Sequence, residues 1–120
     1  MRYGDAMPTL RKADGTVVCL RCDVAATSLK RMKGLLGRSG LDPDEGLLFP
    51  GTGSVHMFFM RFPIDVVFCD ADLQVVDVVR DLKPWRVAGR RGAKNAIELA
   101  AGAAQGVEAG DRLVLDSIDA

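Results

Sequence analysis

The sequence predicts a mainly β fold, a β-sandwich or a flattened barrel of antiparallel or mixed strands, with one short α-helix near residues 27–37. Apolar segments of strand length recur at intervals of about 8–12 residues, which is typical of small all-β domains. Clusters of Gly, Pro and Asp separate these segments and mark turns. A closed barrel of different topology is the alternative architecture.

The start of the chain predicts a hairpin. Residues 9–13 and 16–22 are strand-like, and Asp14-Gly15 between them suits a type I′ turn. That turn needs positive φ angles at both central residues, which Asp and Gly tolerate better than most residues.

The helix is predicted from Leu29, Met32 and Leu36, which fall at positions i, i+3 and i+7 and therefore share one face. Gly37 can adopt the left-handed conformation that ends many helices. We therefore expect the helix to end near Gly37.

The rest of the chain predicts short strands joined by turns. The strands are expected at residues 47–49, 54–60, 64–69, 73–80, 95–99 and 112–118. Residues 82–94 predict an irregular basic loop, and residues 100–105 a turn or short helix. Large apolar side chains on both faces of a strand indicate burial on both faces. Core positions are therefore expected at Phe58, Phe59, Ile64, Val66, Val67 and Phe68.

The composition predicts one domain over residues 1–120 and argues against several functional classes. Sixteen basic residues balance sixteen acidic ones, so no nucleic-acid partner is expected. No apolar run is long enough to span a membrane, and none has the form of a signal peptide. We expect a cytoplasmic protein, or an exported one if a leader has been removed. No nucleotide-binding or metal-binding motif is complete, so no cofactor and no metal are expected.

Three cysteines, Cys19, Cys22 and Cys69, are an odd number for a disulfide framework. Cys19 and Cys22 have the C-x-x-C spacing but lie in a predicted continuous strand, where residues i and i+3 face opposite sides. We therefore expect structural thiols, with redox or metal use as the less favoured interpretation.

Several segments, taken together and in order, resemble one protein family. They are RMKGLLGR at 31–38, GLLF at 46–49, HMFFMRFPIDVVFCD at 56–70, AIELAAG at 96–102 and GVEAGDRLVL at 106–115. The chain resembles the bacterial and archaeal family known as domain of unknown function 192, over about residues 9–116. The resemblance implies a mainly β domain with a sandwich-like core and a short helix. It implies no catalytic residues, because the family has no established biochemical function.

His56 is the only histidine and lies in the apolar stretch 56–65. Imidazole is the natural proton carrier near neutral pH. In one interpretation His56 is a structural residue at the rim of the core. In the other it lies at the mouth of a pocket, with Arg61 and Asp65 nearby.

Glu98 also has two interpretations, because it lies between the apolar residues Ile97 and Leu99. Its carboxylate could be solvated, or it could face a pocket at His56. In the second case His56, Asp65 and Glu98 would form an acid–base set.

The segment 80–94 carries six basic residues against Asp81 alone. Guanidinium groups bind carboxylates and phosphates, so the arginines near Trp85 are candidates for contact with an anionic ligand. The alternative is a solvated loop with Trp85 packed on the core. We expect residues 83–94 to lack regular structure, with Arg90 and Arg91 exposed.

The sequence therefore favours a binding or accessory protein, with an unknown small molecule or protein as its partner. The candidate binding residues are His56, Arg61, Trp85, Arg86, Arg90 and Arg91. The alternative is a small enzyme that uses His56 with Asp65 or Glu98 as acid–base groups. The sequence does not decide whether the protein is an enzyme.

Overall fold

The structure, a computed structural model, describes residues 7–25, 35 and 37–116. These residues form ten β-strands and no helix. In chain order the strands are β1 Thr9–Lys12, β2 Val17–Cys19, β3 Arg21–Val24, β4 Glu45–Pro50, β5 Ser54–His56, β6 Ile64–Cys69, β7 Val75–Leu82, β8 Val87–Gly89, β9 Asn95–Ala100 and β10 Leu113–Asp116.

The centre of the molecule is a five-stranded mixed sheet with the strand order β3-β4-β9-β6-β7. Strands β3 and β4 are parallel, and the other neighbours are antiparallel. Two smaller antiparallel sheets accompany it, with the orders β10-β1-β2 and β5-β8. The mainly β prediction is confirmed. None of these sheets closes on itself within the described ranges, so a closed barrel is not formed there.

The three-stranded sheet packs against one face of the central sheet. Its apolar side chains, such as Leu10 and Leu113, share a buried cluster with Val67, Ile97 and Leu99 of β6 and β9. We call this cluster the first core. All of these side chains are almost completely removed from solvent, which makes the first core the main hydrophobic contribution to that side of the fold.

The two-stranded sheet and the turn after β5 cover the opposite face. Met57, Met60 and Ala88 from this layer share a second buried cluster with Val66 and Phe68 of β6. We call this cluster the second core. Successive residues of a strand point to opposite faces, so β6 contributes alternately to the two cores.

Burial on both faces explains the sequence of β6, in which every residue from Ile64 to Cys69 is buried. The predicted core positions at Ile64, Val66, Val67 and Phe68 are therefore confirmed. Phe58 and Phe59 were expected with them, and that prediction is wrong, since they are 40% and 71% exposed. The reason is that β5 ends at His56, and a turn follows where the sequence predicted a strand to residue 60.

The first hairpin is confirmed, but its turn differs from the predicted type. Gly15 has φ +97°, whereas Asp14 does not have a positive φ. The Gly15 N–H donates to the Lys12 carbonyl, and the Lys12 N–H donates to the Thr16 carbonyl. This is a type I turn closed by a glycine bulge. The Asp14 carboxylate accepts the Thr16 N–H at 2.9 Å, which holds Asp14 in its place in the turn.

The strand predicted over residues 16–22 is instead two strands in two sheets. A bend at Leu20 separates β2, in the three-stranded sheet, from β3, in the central sheet. The alternation of a continuous strand does not apply across this bend. Cys19 and Cys22 therefore both point into the first core, and the prediction that they face opposite sides is wrong.

Two further predictions concern the helix and the basic loop. The helix near residues 27–37 lies outside the described residues except for Leu35 and Gly37, and Gly37 has φ +81°.

The prediction that residues 83–94 lack regular structure is wrong, because Val87–Gly89 forms β8 and pairs with β5. Arg90 and Arg91 are exposed, as predicted.

Phe68→Ala should destabilise the protein by about 3–5 kcal/mol, because it leaves a cavity in the second core. Phe59→Ala removes a ring of the same size from the surface and should change the free energy of unfolding by less than about 1 kcal/mol. Chemical denaturation measures both values. Similar losses for the two variants would contradict the assignment of Phe68 to the core and Phe59 to the surface.

Candidate functional site

Strands β5 and β8 present two side chains to solvent as a cross-strand pair. His56 lies opposite Val87 in the antiparallel register, and both are exposed. Their neighbours Val55 and Ala88 point the other way, into the second core. The two-stranded sheet therefore has one buried face and one outer face, and the outer face begins the candidate site.

Aromatic rings extend this outer face. The His56 ring stacks on Phe58 with centroids 4.7 Å apart, and Phe58 lies 6.1 Å from Trp85. Phe59 contacts the same indole with centroids 4.8 Å apart. Phe59 is 71% exposed and Trp85 is 57% exposed. We call His56, Phe58, Phe59, Trp85 and Val87 the aromatic patch.

The backbone under two of these rings is strained. Phe59 has φ +64° and Trp85 has φ +70°, in the left-handed region that bulky side chains rarely adopt. Such conformations cost about 1–3 kcal/mol each and persist only where the surrounding structure enforces them. Both rings are exposed to solvent and contact each other in this conformation.

Hydrogen bonds from the Met57 backbone enforce this conformation. The Met57 carbonyl accepts the Trp85 N–H at 2.8 Å and the Met60 N–H at 3.2 Å. The Met57 N–H donates to the Arg86 carbonyl at 2.7 Å. The Met57 side chain is buried in the second core, so the patch is fixed to the interior through one residue.

Two exposed arginines belong to the same segments as the patch. Arg61 follows the turn that carries Phe58 and Phe59, and Arg86 lies between Trp85 and Val87. No carboxylate of the described residues forms an ion pair with either one. Their charges therefore remain available to a ligand of the patch.

Two other basic residues of the segment 80–94, Lys83 and Arg90, already have carboxylate partners. Lys83 pairs with Asp81 at 2.6 Å, and Arg90 pairs with Asp77 at 2.5 Å. The Arg90 guanidinium lowers the pKa of Asp77 through this hydrogen bond. The structure therefore places Arg90, a candidate binding residue, against Asp77 of β7.

Asp65 is buried and bound by the backbone. Its Oδ1 accepts the Asp81 N–H at 2.9 Å, and its Oδ2 accepts the Gly102 and Ala104 N–H groups at 3.0 Å each. These bonds fix the end of β7 and the turn after β9 to β6. Asp65 therefore serves as a structural anchor and does not contact His56.

An open cleft of about 330 Å³ lies beside this anchor. Its charged groups take part in structural contacts, because the Arg80 guanidinium donates to the carbonyls of Ala104 and Val107. The lining residues are Asp65, Arg80, Asp81, Ala101, Gly102 and Gln105. The cleft is separate from the aromatic patch, since it shares no lining residue with it.

Glu98 is on the opposite face of the central sheet from Asp65. In the β6–β9 register, Asp65 lies opposite Leu99, whereas Glu98 lies opposite Val66. Leu99 belongs to the first core and Val66 to the second, so Glu98 points to the side of the second core. Its side chain is only 9% exposed, which excludes the solvated interpretation.

Burial determines the protonation of Glu98. Removal of the carboxyl group from water raises its pKa to about 7, from the usual 4.5. No residue in the described ranges donates a hydrogen bond to this carboxyl group. Glu98 is therefore largely protonated below neutral pH.

The structure does not assemble the predicted acid–base set. His56 is exposed on the outer face of β5, Asp65 is bound by the backbone, and Glu98 lies on the other face of the sheet from Asp65. It does bring together His56 and Trp85, which the sequence proposed from separate segments. Phe58 and Phe59 join them.

Sequence reasoning placed Phe58 and Phe59 in the core, whereas both lie at the surface. The available signal was the density of apolar residues in MFFMRF, too many to be buried along one short strand before a proline. The strained backbone conformation that exposes them leaves no mark in the sequence, because the left-handed φ at Phe59 and Trp85 depends on the hydrogen bonds of Met57.

Comparison with known sequences identifies similar proteins. The family model described as "Uncharacterized ACR", domain of unknown function 192, matches residues 9–115. A UPF0127 protein of Thermococcus sibiricus is 36% identical over 98 residues, which are 78% of this chain and 63% of the relative. This chain therefore spans less than two thirds of that relative's length. A UPF0127 protein of Pyrococcus abyssi is 33% identical over 102 residues, covering 78% of this chain and 84% of the relative.

Two solved structures have the same fold. A protein of Sinorhizobium meliloti described as a "putative transcription regulator" is 27% identical, with a TM-score of 0.78 over 90% of this chain and 92% of that one. A protein of unknown function from Novosphingobium aromaticivorans is 26% identical, with a TM-score of 0.76 over 91% of this chain and 84% of that one. Among the residues that the structure describes there is no helix that could cross a membrane.

Asp65→Ala should lower the free energy of unfolding by about 3 kcal/mol or more, because three backbone N–H groups lose their acceptor. Asp72→Ala, at an exposed turn, is the matched control and should have little effect. Urea denaturation of both variants tests the anchor. Equal stability of the Asp65 variant and the parent protein would contradict it.

Glu98 predicts a pH dependence of stability. Its pKa is about 7 when folded and near 4.5 when unfolded, so the folded state holds more protons between these values. Stability should therefore fall as the pH rises from about 4.5 to about 7, by about 3 kcal/mol in total. Glu98→Gln should remove this loss and be more stable than the parent protein at about pH 8.

The control for this measurement is Glu108→Gln, which changes an exposed glutamate. Its stability should follow that of the parent protein across the same pH range. Urea denaturation at several pH values gives the comparison. If the free energy of unfolding depends on pH in the same way in the Glu98 and Glu108 variants, desolvation does not raise the pKa of Glu98.

Proposed function

The chain belongs to the domain of unknown function 192 family, and from this premise we propose that it is a non-catalytic binding protein whose aromatic patch holds an acidic, apolar segment of a partner protein. The observation that carries the proposal is the strained exposure of Phe59 and Trp85. Two aromatic rings are held in contact with each other and with water, on backbone conformations that bulky residues rarely adopt.

The composition of the patch fits a protein partner. Exposed apolar clusters on small proteins mark interaction surfaces, and aromatic and arginine side chains dominate the binding energy of protein interfaces. The patch combines Trp85 and Phe59 with the nearby Arg61 and Arg86. The rings would bury apolar side chains, and the arginines at the rim would pair with carboxylates.

A small molecule is less well supported as the ligand of this patch. Small-molecule sites are usually concave and enclose most of the ligand. The open cleft of about 330 Å³ in the described residues lies at Asp65 and Gly102, away from the patch. A patch of exposed rings fits an extended peptide surface better.

Charge also favours a protein over a nucleic acid. The whole chain has a formal net charge of zero, and two of the basic residues near the patch, Lys83 and Arg90, are paired with Asp81 and Asp77. Nucleic-acid binding usually needs a continuous basic surface. Arg61 and Arg86, which form no ion pair with a carboxylate of the described residues, suit a limited number of partner carboxylates.

The enzyme alternative has less support from the geometry. Asp65 accepts three backbone N–H groups and has no proton-transfer partner among the described side chains. A general base must lie within hydrogen-bonding reach of a shared substrate. His56, stacked on Phe58 at the surface, is better suited to ring contacts with a partner.

Trp85 provides a direct assay, because it is the only tryptophan in the chain. A phage-displayed library of random peptides is selected on the full chain, and the enriched peptides are synthesised. We expect enriched sequences to combine apolar residues with Asp or Glu and to shift the Trp85 fluorescence on binding. Phe59→Ala and Arg86→Glu should each weaken binding by about tenfold or more.

Val17→Ala is the control, since Val17 is an exposed apolar residue of β2, in a different sheet. Its peptide affinity should equal that of the parent protein, and the thermal unfolding of every variant is measured to confirm folding. A duplex DNA oligonucleotide is tested in parallel because one structural relative is described as a regulator. Enriched peptides without acidic residues, or binding of DNA that requires Arg86, would overturn the proposal.

A further inference from the structure

The bend between β2 and β3 brings two thiols together inside the first core. Cys19 is the last residue of β2, and Cys22 lies in β3 after the bend at Leu20. Cys19 is 2% exposed and Cys22 is 0% exposed. Neither is part of a disulfide.

The space for the Cys19 sulfur is provided by Gly46 in β4. A Cβ atom placed on Gly46 would lie 2.7 Å from Leu99 Cδ2, closer than real Cβ atoms come, and 3.0 Å from Cys19 Sγ, tighter than most real Cβ contacts. Gly46 is also the direct neighbour of Cys22 in the parallel β3–β4 register. The Cys19 sulfur therefore lies over the strand pair that contains Cys22.

The two thiols are close enough to influence each other and differ in acidity. The Cys22 thiol beside it lowers the Cys19 pKa, while the same contact and burial raise the Cys22 pKa. The Cys19 thiol also donates a hydrogen bond to the Arg21 carbonyl oxygen at 3.3 Å. Cys19 is thus the more acidic thiol of the pair and the one that ionises more readily, and only the ionised form is nucleophilic.

We propose that Cys19 and Cys22 form an oxidisable dithiol that a hydroperoxide converts to an intramolecular disulfide. The Cys19 thiolate attacks the terminal peroxide oxygen and breaks the O–O bond, which gives a Cys19 sulfenic acid and releases an alcohol or water after protonation. The Cys22 thiol then attacks the sulfenic sulfur, forms the S–S bond and releases water. Two thiols and one hydroperoxide give one disulfide, one alcohol and one water.

The bend is the part of the first core nearest to solvent on this side. Leu20 is 47% exposed and Arg21 is exposed. The Leu20 carbonyl is held by the Thr9 hydroxyl at 3.0 Å. A small oxidant therefore needs only a local opening of the bend, rather than unfolding of the central sheet.

Cys69 is a matched internal control. It is buried in the same core, and burial raises the pKa of its thiol to about 12. Desolvation is the main cause of this rise in the Cys69 pKa, and no contact with another thiol contributes to it. If peroxide oxidised any buried cysteine of the first core, it would oxidise Cys69 as well as Cys19 and Cys22.

The full chain is treated with hydrogen peroxide, quenched, unfolded and alkylated, and the peptides are identified by mass spectrometry. We expect a Cys19–Cys22 disulfide, with Cys69 recovered as the alkylated thiol. The mapping uses the parent protein and does not depend on whether a variant folds. Cys19→Ser should abolish the disulfide and Cys69→Ser should preserve it.

Three results would overturn the inference. In the first, Cys69 is oxidised as fast as Cys19. In the second, Cys19 accumulates as a sulfinic acid with Cys22 still reduced. In the third, the pair stays reduced in the folded protein and reacts only after denaturant is added, which would make the two cysteines structural thiols.

Discussion

Two neighbouring inner strands of the central sheet, β6 and β9, have no solvent face, and this constraint governs the rest of the molecule. Strands β6 and β9 are covered by the three-stranded sheet on one side and by the β5–β8 layer on the other. Any polar group on these strands must be satisfied inside the protein or lose its charge. Asp65 follows the first route, through three backbone N–H groups. Glu98 follows the second, since burial raises its pKa to about 7.

The same constraint explains why the aromatic patch is at the surface. Apolar side chains of β6, together with those of Met57 and Met60, fill the second core. The Met57 side chain fills the interior while its backbone holds Trp85 and Arg86 in place. Rings that the core cannot accommodate are thus held outward in a fixed arrangement, and a rigid arrangement of rings loses little entropy on binding.

Much of the fold is readable from the sequence, because its strands have strong local signals. The apolar stretch Ile64 to Cys69 predicts a doubly buried strand, and Asp14-Gly15 predicts a hairpin, and both are present. The bend at Leu20 is not readable, because nothing in VVCLRC distinguishes one strand from two strands in different sheets. The candidate site follows the same pattern. Trp85 and His56 are identifiable as unusual residues, but their contact through Phe58 depends on tertiary structure.

The three-stranded sheet joins the two ends of the described chain. Strand β1 is the middle strand of that sheet, and one of its neighbours is β10, with Thr9 opposite Asp116. An ion pair between Arg11 and Asp116 at 2.6 Å also links β1 to β10. During synthesis on a ribosome, β1 emerges before β10, so the first core stays open until β10 has left the exit tunnel. Nascent chains would therefore expose the edge of β1 until that point, and a chaperone that shields this edge would act at this stage.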